Sequence, residues 1–63
     1  MIKKLTLHDI FHEDAILPIS VNFNNVTYYS RDYVNNGTTI YFVNGSRILV
    51  RETKEQIDNL FSL

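Results

Sequence analysis

Cysteine and tryptophan are absent from the 63 residues, proline occurs once and glycine twice. Without cysteine there is neither a disulfide framework nor a thiolate zinc site. Two isolated glycines cannot build a loop that cradles phosphate. No stretch approaches the ~18 consecutive apolar residues of a membrane helix. The start Met1-Ile2-Lys3-Lys4 is basic, but His8 and Asp9 interrupt it before an apolar signal core can form, which predicts a cytoplasmic chain without membrane insertion. Charge of one sign is also missing. Six basic side chains face seven acidic ones, whereas a free-standing DNA binder carries a basic excess to neutralise phosphate.

What remains is 44% hydrophobic and 21% charged, ordinary usage for a folded domain. At 7.4 kDa the unfolded chain exposes roughly 10,700 Å² and the folded one about 4,200 Å². Burying the apolar share of that loss contributes roughly 100 kcal/mol. Ordering the chain costs roughly 95 kcal/mol. The two nearly cancel, so residues 1–63 form one small, marginally stable domain for which self-association is a natural supplement.

Periodicity divides the chain. Leu5 and Leu7 alternate with Thr6 and His8, a short strand signature. Asp9 to Leu17 fits either a helical turn or an irregular loop. After Pro18, Ile19, Val21 and Phe23 alternate with Ser20, Asn22 and Asn24 as a strand with one apolar face, and proline is tolerated at its start. Asn24-Asn25 marks a tight turn, and Val26-Thr27-Tyr28-Tyr29 favours another strand that Asn35-Asn36-Gly37 ends.

Two β-rich runs flank Asn44-Gly45, the signature of a hairpin. A two-residue turn would pair Phe42 with Arg47 and mix charge into both faces. A three-residue loop with Gly45 as a left-handed bulge instead pairs Phe42 with Ser46 and Ile40 with Ile48. Ile40, Phe42, Ile48 and Val50 then share an apolar face, and Tyr41, Val43, Arg47, Leu49 and Arg51 an amphipathic one. The bulged register is the one expected. Beyond it, Thr53 and Gln56 have capping-box spacing, and Ile57, Leu60 and Phe61 recur as a helical stripe. So short a helix must lie on a sheet. The expected fold is therefore α+β and β-rich: a small antiparallel sheet of four to five short strands with one C-terminal helix packed on it. Its core comprises Leu5, Leu7, Ile19, Val21, Phe23, Val26, Ile40, Phe42, Ile48, Val50, Ile57, Leu60 and Phe61.

The pattern Thr38-x-Ile40-x-Phe42-x-Asn44-Gly45, followed by Ile48-x-Val50-x-Glu52-Thr53, resembles the FlbD-like family of small bacterial flagellar and swarming-motility proteins. The resemblance covers most of residues 38–57 and, more weakly, Met1-Ile2, Leu5-Thr6 and the strand reaching Asn22. It implies a β-rich, non-enzymatic accessory protein and carries over no catalytic residue. A longer Asp9–Leu17 segment and the aromatic Tyr28–Tyr33 stretch depart from the pattern, leaving a phage or other mobile-element origin open beside a motility one.

Candidate chemistry is sparse. His8-Asp9-Ile10-Phe11-His12 has the spacing of a two-histidine metal helix, but no third ligand is evident and aspartate stands where a glutamate base is needed. No serine has nucleophile-elbow glycines. The chain thus reads as no enzyme, with no cofactor and no metal. Tyrosine and arginine, which dominate binding hot spots, carry the remaining signal. Tyr29, Tyr33, Tyr41, Arg47, Leu49 and Arg51 are the expected partner-binding residues, for a protein partner or a second copy in a homodimer. The alternative is a module that stacks single-stranded RNA or DNA on the same side chains.

Overall fold

Strand order sets the architecture in the computed structural model, which describes residues 1–61. The strands β1 (Ile2–Leu7), β2 (Leu17–Asn22), β3 (Val26–Arg31), β4 (Thr38–Phe42) and β5 (Arg47–Val50) precede one helix, α1 (Lys54–Leu60). They form one antiparallel sheet in the order β2-β1-β5-β4-β3. This is the expected α+β, strand-rich domain. β2 and β3 are consecutive in the chain yet lie at opposite edges, joined only by a 3-10 turn at Phe23–Asn25. Across a flat sheet the outer strands would be ~19 Å apart at about 4.8 Å per step. Three residues of 3-10 helix rise only about 6 Å. The sheet is therefore rolled. The turn is pinned by Phe23 N–H donating to the Met1 carbonyl at 2.8 Å and Val43 N–H to the Asn25 carbonyl at 2.8 Å.

The concave face of the rolled sheet holds the core. Leu5, Val21, Ile40, Val50 and Ile57 are buried, and Ile19, Phe23, Val26, Tyr29, Phe42 and Ile48 pack against them half-buried. The hairpin has the bulged register: Ile40 pairs with Ile48, Phe42 N–H donates to the Ser46 carbonyl at 2.9 Å, and Gly45 has φ 88°. Thr38 shares this inner face, fully buried, its hydroxyl donating to the Glu52 carbonyl at 2.7 Å. Glu52 also accepts from Thr6 N–H at 2.8 Å, so its side chain continues the short β1–β5 ladder beyond Leu7 and Val50.

Helix α1 begins with the expected capping box between Thr53 and Gln56. Ile57 alone of its stripe is buried. Leu60 and Phe61, expected in the core, are instead exposed at its rim, Leu60 at 38%. The helix is too short to carry its last turn over the concavity, so Phe61 meets Phe23 edge-on at 4.9 Å with the Lys3 ammonium above its ring. Residues 8–16 form an irregular loop of turns rather than a helix.

Candidate interaction face

On the convex side, strand pairing aligns side chains across three strands. Tyr28 of β3 stands opposite Tyr41 of β4, which stands opposite Arg47 of β5. The two rings stack at 4.3 Å and 16°. The next row is Ser30, Thr39 and Leu49. Asp32, Thr39, Tyr41, Arg47 and Leu49 line a shallow groove beside the aromatic pair. Tyr28 is 57% exposed, Val43 and Arg47 are exposed, and Tyr41 and Leu49 are half-exposed. Among the described residues Arg47 forms no ion pair.

Tyr41, Arg47 and Leu49 are thus brought together as the sequence suggests, while Tyr29, Tyr33 and Arg51 lie elsewhere. Tyr29 is displaced by a bulge. Val26 pairs with Phe42 but Tyr28 with Tyr41, so Thr27 is an extra residue and the inside–outside alternation changes sign after it. Tyr29 turns inward and Tyr28 outward. Tyr28 is accordingly the member of the face that sequence reasoning missed, and a bulge at a threonine leaves no sequence mark. Tyr33 stands in the β3–β4 loop with the Arg31 guanidinium 4.9 Å from its ring centre. Arg51 follows the last β5 residue and so leaves the strand alternation. Its guanidinium donates to the carbonyls of Glu13 and Ala15, bracing the β1–β2 loop.

That loop carries the histidine motif. His12 Nδ1 lies 2.9 Å from Asp9 Oδ2, and Phe11 N–H donates to Asp9 Oδ1 at 2.9 Å. His8 instead pairs through its backbone, N–H to the Leu49 carbonyl at 2.9 Å. The segment is not helical, so the two imidazoles do not share a face. Among the described residues no three His, Asp or Glu side chains are grouped to hold a metal ion.

Inside, Tyr29 donates its hydroxyl to Asp58 Oδ1 on α1 at 2.5 Å, and Lys54 reaches Asp58 Oδ2 at 2.9 Å. The Asp58 carboxylate raises the Tyr29 hydroxyl from 10.0 to about 12, with burial adding to the effect. The Tyr29 hydroxyl, then the Lys54 ammonium, hold Asp58 below its ordinary 3.8. Both shifts link folding to pH. The Asp58 contribution is present above the unfolded value and fades as pH falls through the lower folded one. The Tyr29 contribution is present below pH 10 and fades as pH rises toward 12. Tyr29→Phe should therefore flatten the alkaline limb of a stability–pH curve measured by urea midpoints. The acid limb should weaken only in part. Asp9, accepting from Phe11 N–H and His12, and Asp32, accepting from the N–H groups of Asn35 and Val34, also sit below 3.8. An unchanged alkaline limb in Tyr29→Phe would refute the coupling.

No family model, curated protein or solved structure matches the chain. Among the described residues, no helix is long and apolar enough to cross a membrane.

Proposed function

We propose that this chain is a non-catalytic accessory protein of the cytoplasm that binds a protein partner through its convex sheet face. One observation carries the reading: an aromatic–aromatic–cation row, Tyr28–Tyr41–Arg47, with Leu49 and Val43 beside it, in which Tyr28, Val43 and Arg47 are exposed and Tyr41 and Leu49 half-exposed. Tyrosine and arginine in a central cluster are the composition of binding hot spots. The FlbD-like resemblance over most of residues 38–57 supports an accessory role of this kind in motility, and the departures from it at Asp9–Leu17 and Tyr28–Tyr33 leave a phage or other mobile element as the alternative setting.

A nucleic acid is the less favoured ligand. Tyr28 and Tyr41 use one ring face each on one another. Arg51 is engaged by loop carbonyls, which leaves Arg47 as the face's single arginine. Base stacking with backbone neutralisation needs more of both.

The test is a photo-crosslinking residue at Tyr41, with Ser20 on β2 as control, in the native cell. A discrete adduct at Tyr41 alone is expected. Tyr41→Ala should weaken the recovered partner's affinity about 30-fold, the ~2 kcal/mol of a hot spot. Equal labelling at Ser20 would defeat the proposal. So would salt-dependent binding of a random single-stranded RNA pool that falls in Arg47→Ala.

A further inference from the structure

Two asparagines stand directly before glycine, Asn36 in the β3–β4 loop and Asn44 in the β4–β5 turn. Every other asparagine precedes a residue that carries a side chain. Asparagine before glycine is the pair most open to self-cyclisation, because no Cβ on the following residue hinders its main-chain nitrogen from reaching the side-chain carbonyl. By sequence the two sites are alike; the fold separates them.

At Asn44 both reacting groups are engaged. Gly45 N–H donates to the Phe42 carbonyl at 3.0 Å, so its nitrogen is committed to closing the hairpin. Asn44 Oδ1 accepts from Ser46 N–H at 2.9 Å and from the Ser46 hydroxyl at 2.7 Å, which fixes the amide. At Asn36 both groups are free. The Asp32 carboxylate accepts from Val34 N–H at 2.9 Å and Asn35 N–H at 3.0 Å, so the loop's own capping stops one residue short of Asn36. Gly37 is held through its carbonyl, which accepts from Asp32 N–H at 3.1 Å, while its N–H donates to no group among the described residues. The Asn36 side chain is exposed and makes no hydrogen bond to them either.

We infer that Asn36 is a site of spontaneous deamidation, and that the modification loosens the β3–β4 loop as the protein ages. This chemistry is independent of the convex face and needs no partner. The Gly37 nitrogen attacks Asn36 Cγ, the side-chain nitrogen leaves as ammonia with the proton that Gly37 gives up, and a cyclic succinimide remains. Water then opens the ring. Opening at Cγ yields aspartate. Opening at the main-chain carbonyl yields isoaspartate, in which the backbone runs through Cβ and Cγ and is a methylene longer. Either product replaces a neutral amide with a carboxylate. The isoaspartyl product also displaces Gly37, and there is no room for that. Gly37 lies so close to β5 that a Cβ on it would stand 2.1 Å from the Val50 carbonyl oxygen, and Thr38 after it is fully buried. The aspartyl product needs no such movement, since aspartate, like asparagine, tolerates the φ of 64° found at residue 36.

Incubating the whole folded chain at mildly alkaline pH and mapping its peptides by mass spectrometry tests the site, with electron-transfer fragmentation to tell isoaspartate from aspartate. Asn36 should convert at least about tenfold faster than Asn44, because reaction at Asn44 must first break the Gly45–Phe42 hydrogen bond. In guanidinium chloride the two should react at similar rates. Conversion at Asn44 that equals or outruns Asn36 in the folded chain overturns the inference. So does an Asn36 that stays intact while the unfolded chain reacts at both sites. The separated isoaspartyl form should unfold at a lower urea midpoint than fresh protein, and the aspartyl form at the same one. An isoaspartyl form with the original midpoint overturns the loosening. Asn36→Gln, whose longer side chain cyclises far more slowly, should hold its starting midpoint through an incubation that lowers that of wild type. A variant that drifts as wild type does would place the ageing elsewhere and overturn the assignment to Asn36.

Discussion

Gly37→Ala is expected to cost at least about 3 kcal/mol, most of the stability of a domain this small. Gly37 has φ +75°, a conformation that strains any side chain. The larger penalty is steric, because a Cβ there would lie 2.1 Å from the Val50 carbonyl oxygen. Main chain cannot swing aside like a side-chain tip. Val50 is fully buried and paired with both Leu7 and Thr38, so retreat would part β5 from a neighbour. Gly45 supplies the control. Its φ is +88°, but a Cβ would meet nothing within 4 Å. Gly45→Ala should therefore cost only the conformational strain, about 1–2 kcal/mol. Urea denaturation should show Gly45→Ala folded with a lowered midpoint and Gly37→Ala largely unfolded without denaturant. Equal midpoints would show that the close approach to Val50 is not a constraint.

These two glycines also mark how far the fold can be read from residues alone. Around Gly45 the information is local: apolar residues alternate on both sides, and only one loop length places Ile40 across from Ile48 without burying Arg47. The capping box is local in the same way, with Thr53 and Gln56 three apart. Strand order is not local. β1 joins β5 through one backbone pair, Leu7 with Val50, and the Glu52 carboxylate, which no periodicity announces. The candidate face divides along the same line. Tyr41, Arg47 and Leu49 sit on a hairpin whose parity is legible. Tyr28 and Tyr29 exchange sides because of the Thr27 bulge, and Arg51 leaves its row because β5 ends at Val50. The Tyr29–Asp58 bond joins residues 29 apart in sequence, and nothing near either residue signals it.

Ile57→Ala should cost about 3 kcal/mol, within the 2–5 kcal/mol range for truncating a buried isoleucine. Leu60→Ala on the same stripe should cost under about 1 kcal/mol, because its side chain already meets water. Amphipathic spacing treats the two residues alike, whereas the structure exposes Ile57 at 0% and Leu60 at 38%. The consequence reaches beyond the lost contact. Ile57 is the helix's sole buried residue, so without it α1 is held by the Tyr29–Asp58 hydrogen bond, the capping box and a rim contact of Phe61 with Phe23. A seven-residue helix does not persist alone in water. Its loss would open the concave face, uncovering Ile40 and Val50. Ile57→Ala should therefore show a lower urea midpoint together with fast amide exchange along Lys54–Leu60. It should also bind a hydrophobic dye before the main transition, which Leu60→Ala should not. Equal urea midpoints for the two variants would mean that the helix is held at its rim, and that the rolled sheet keeps its interior closed without a buried isoleucine at the opening.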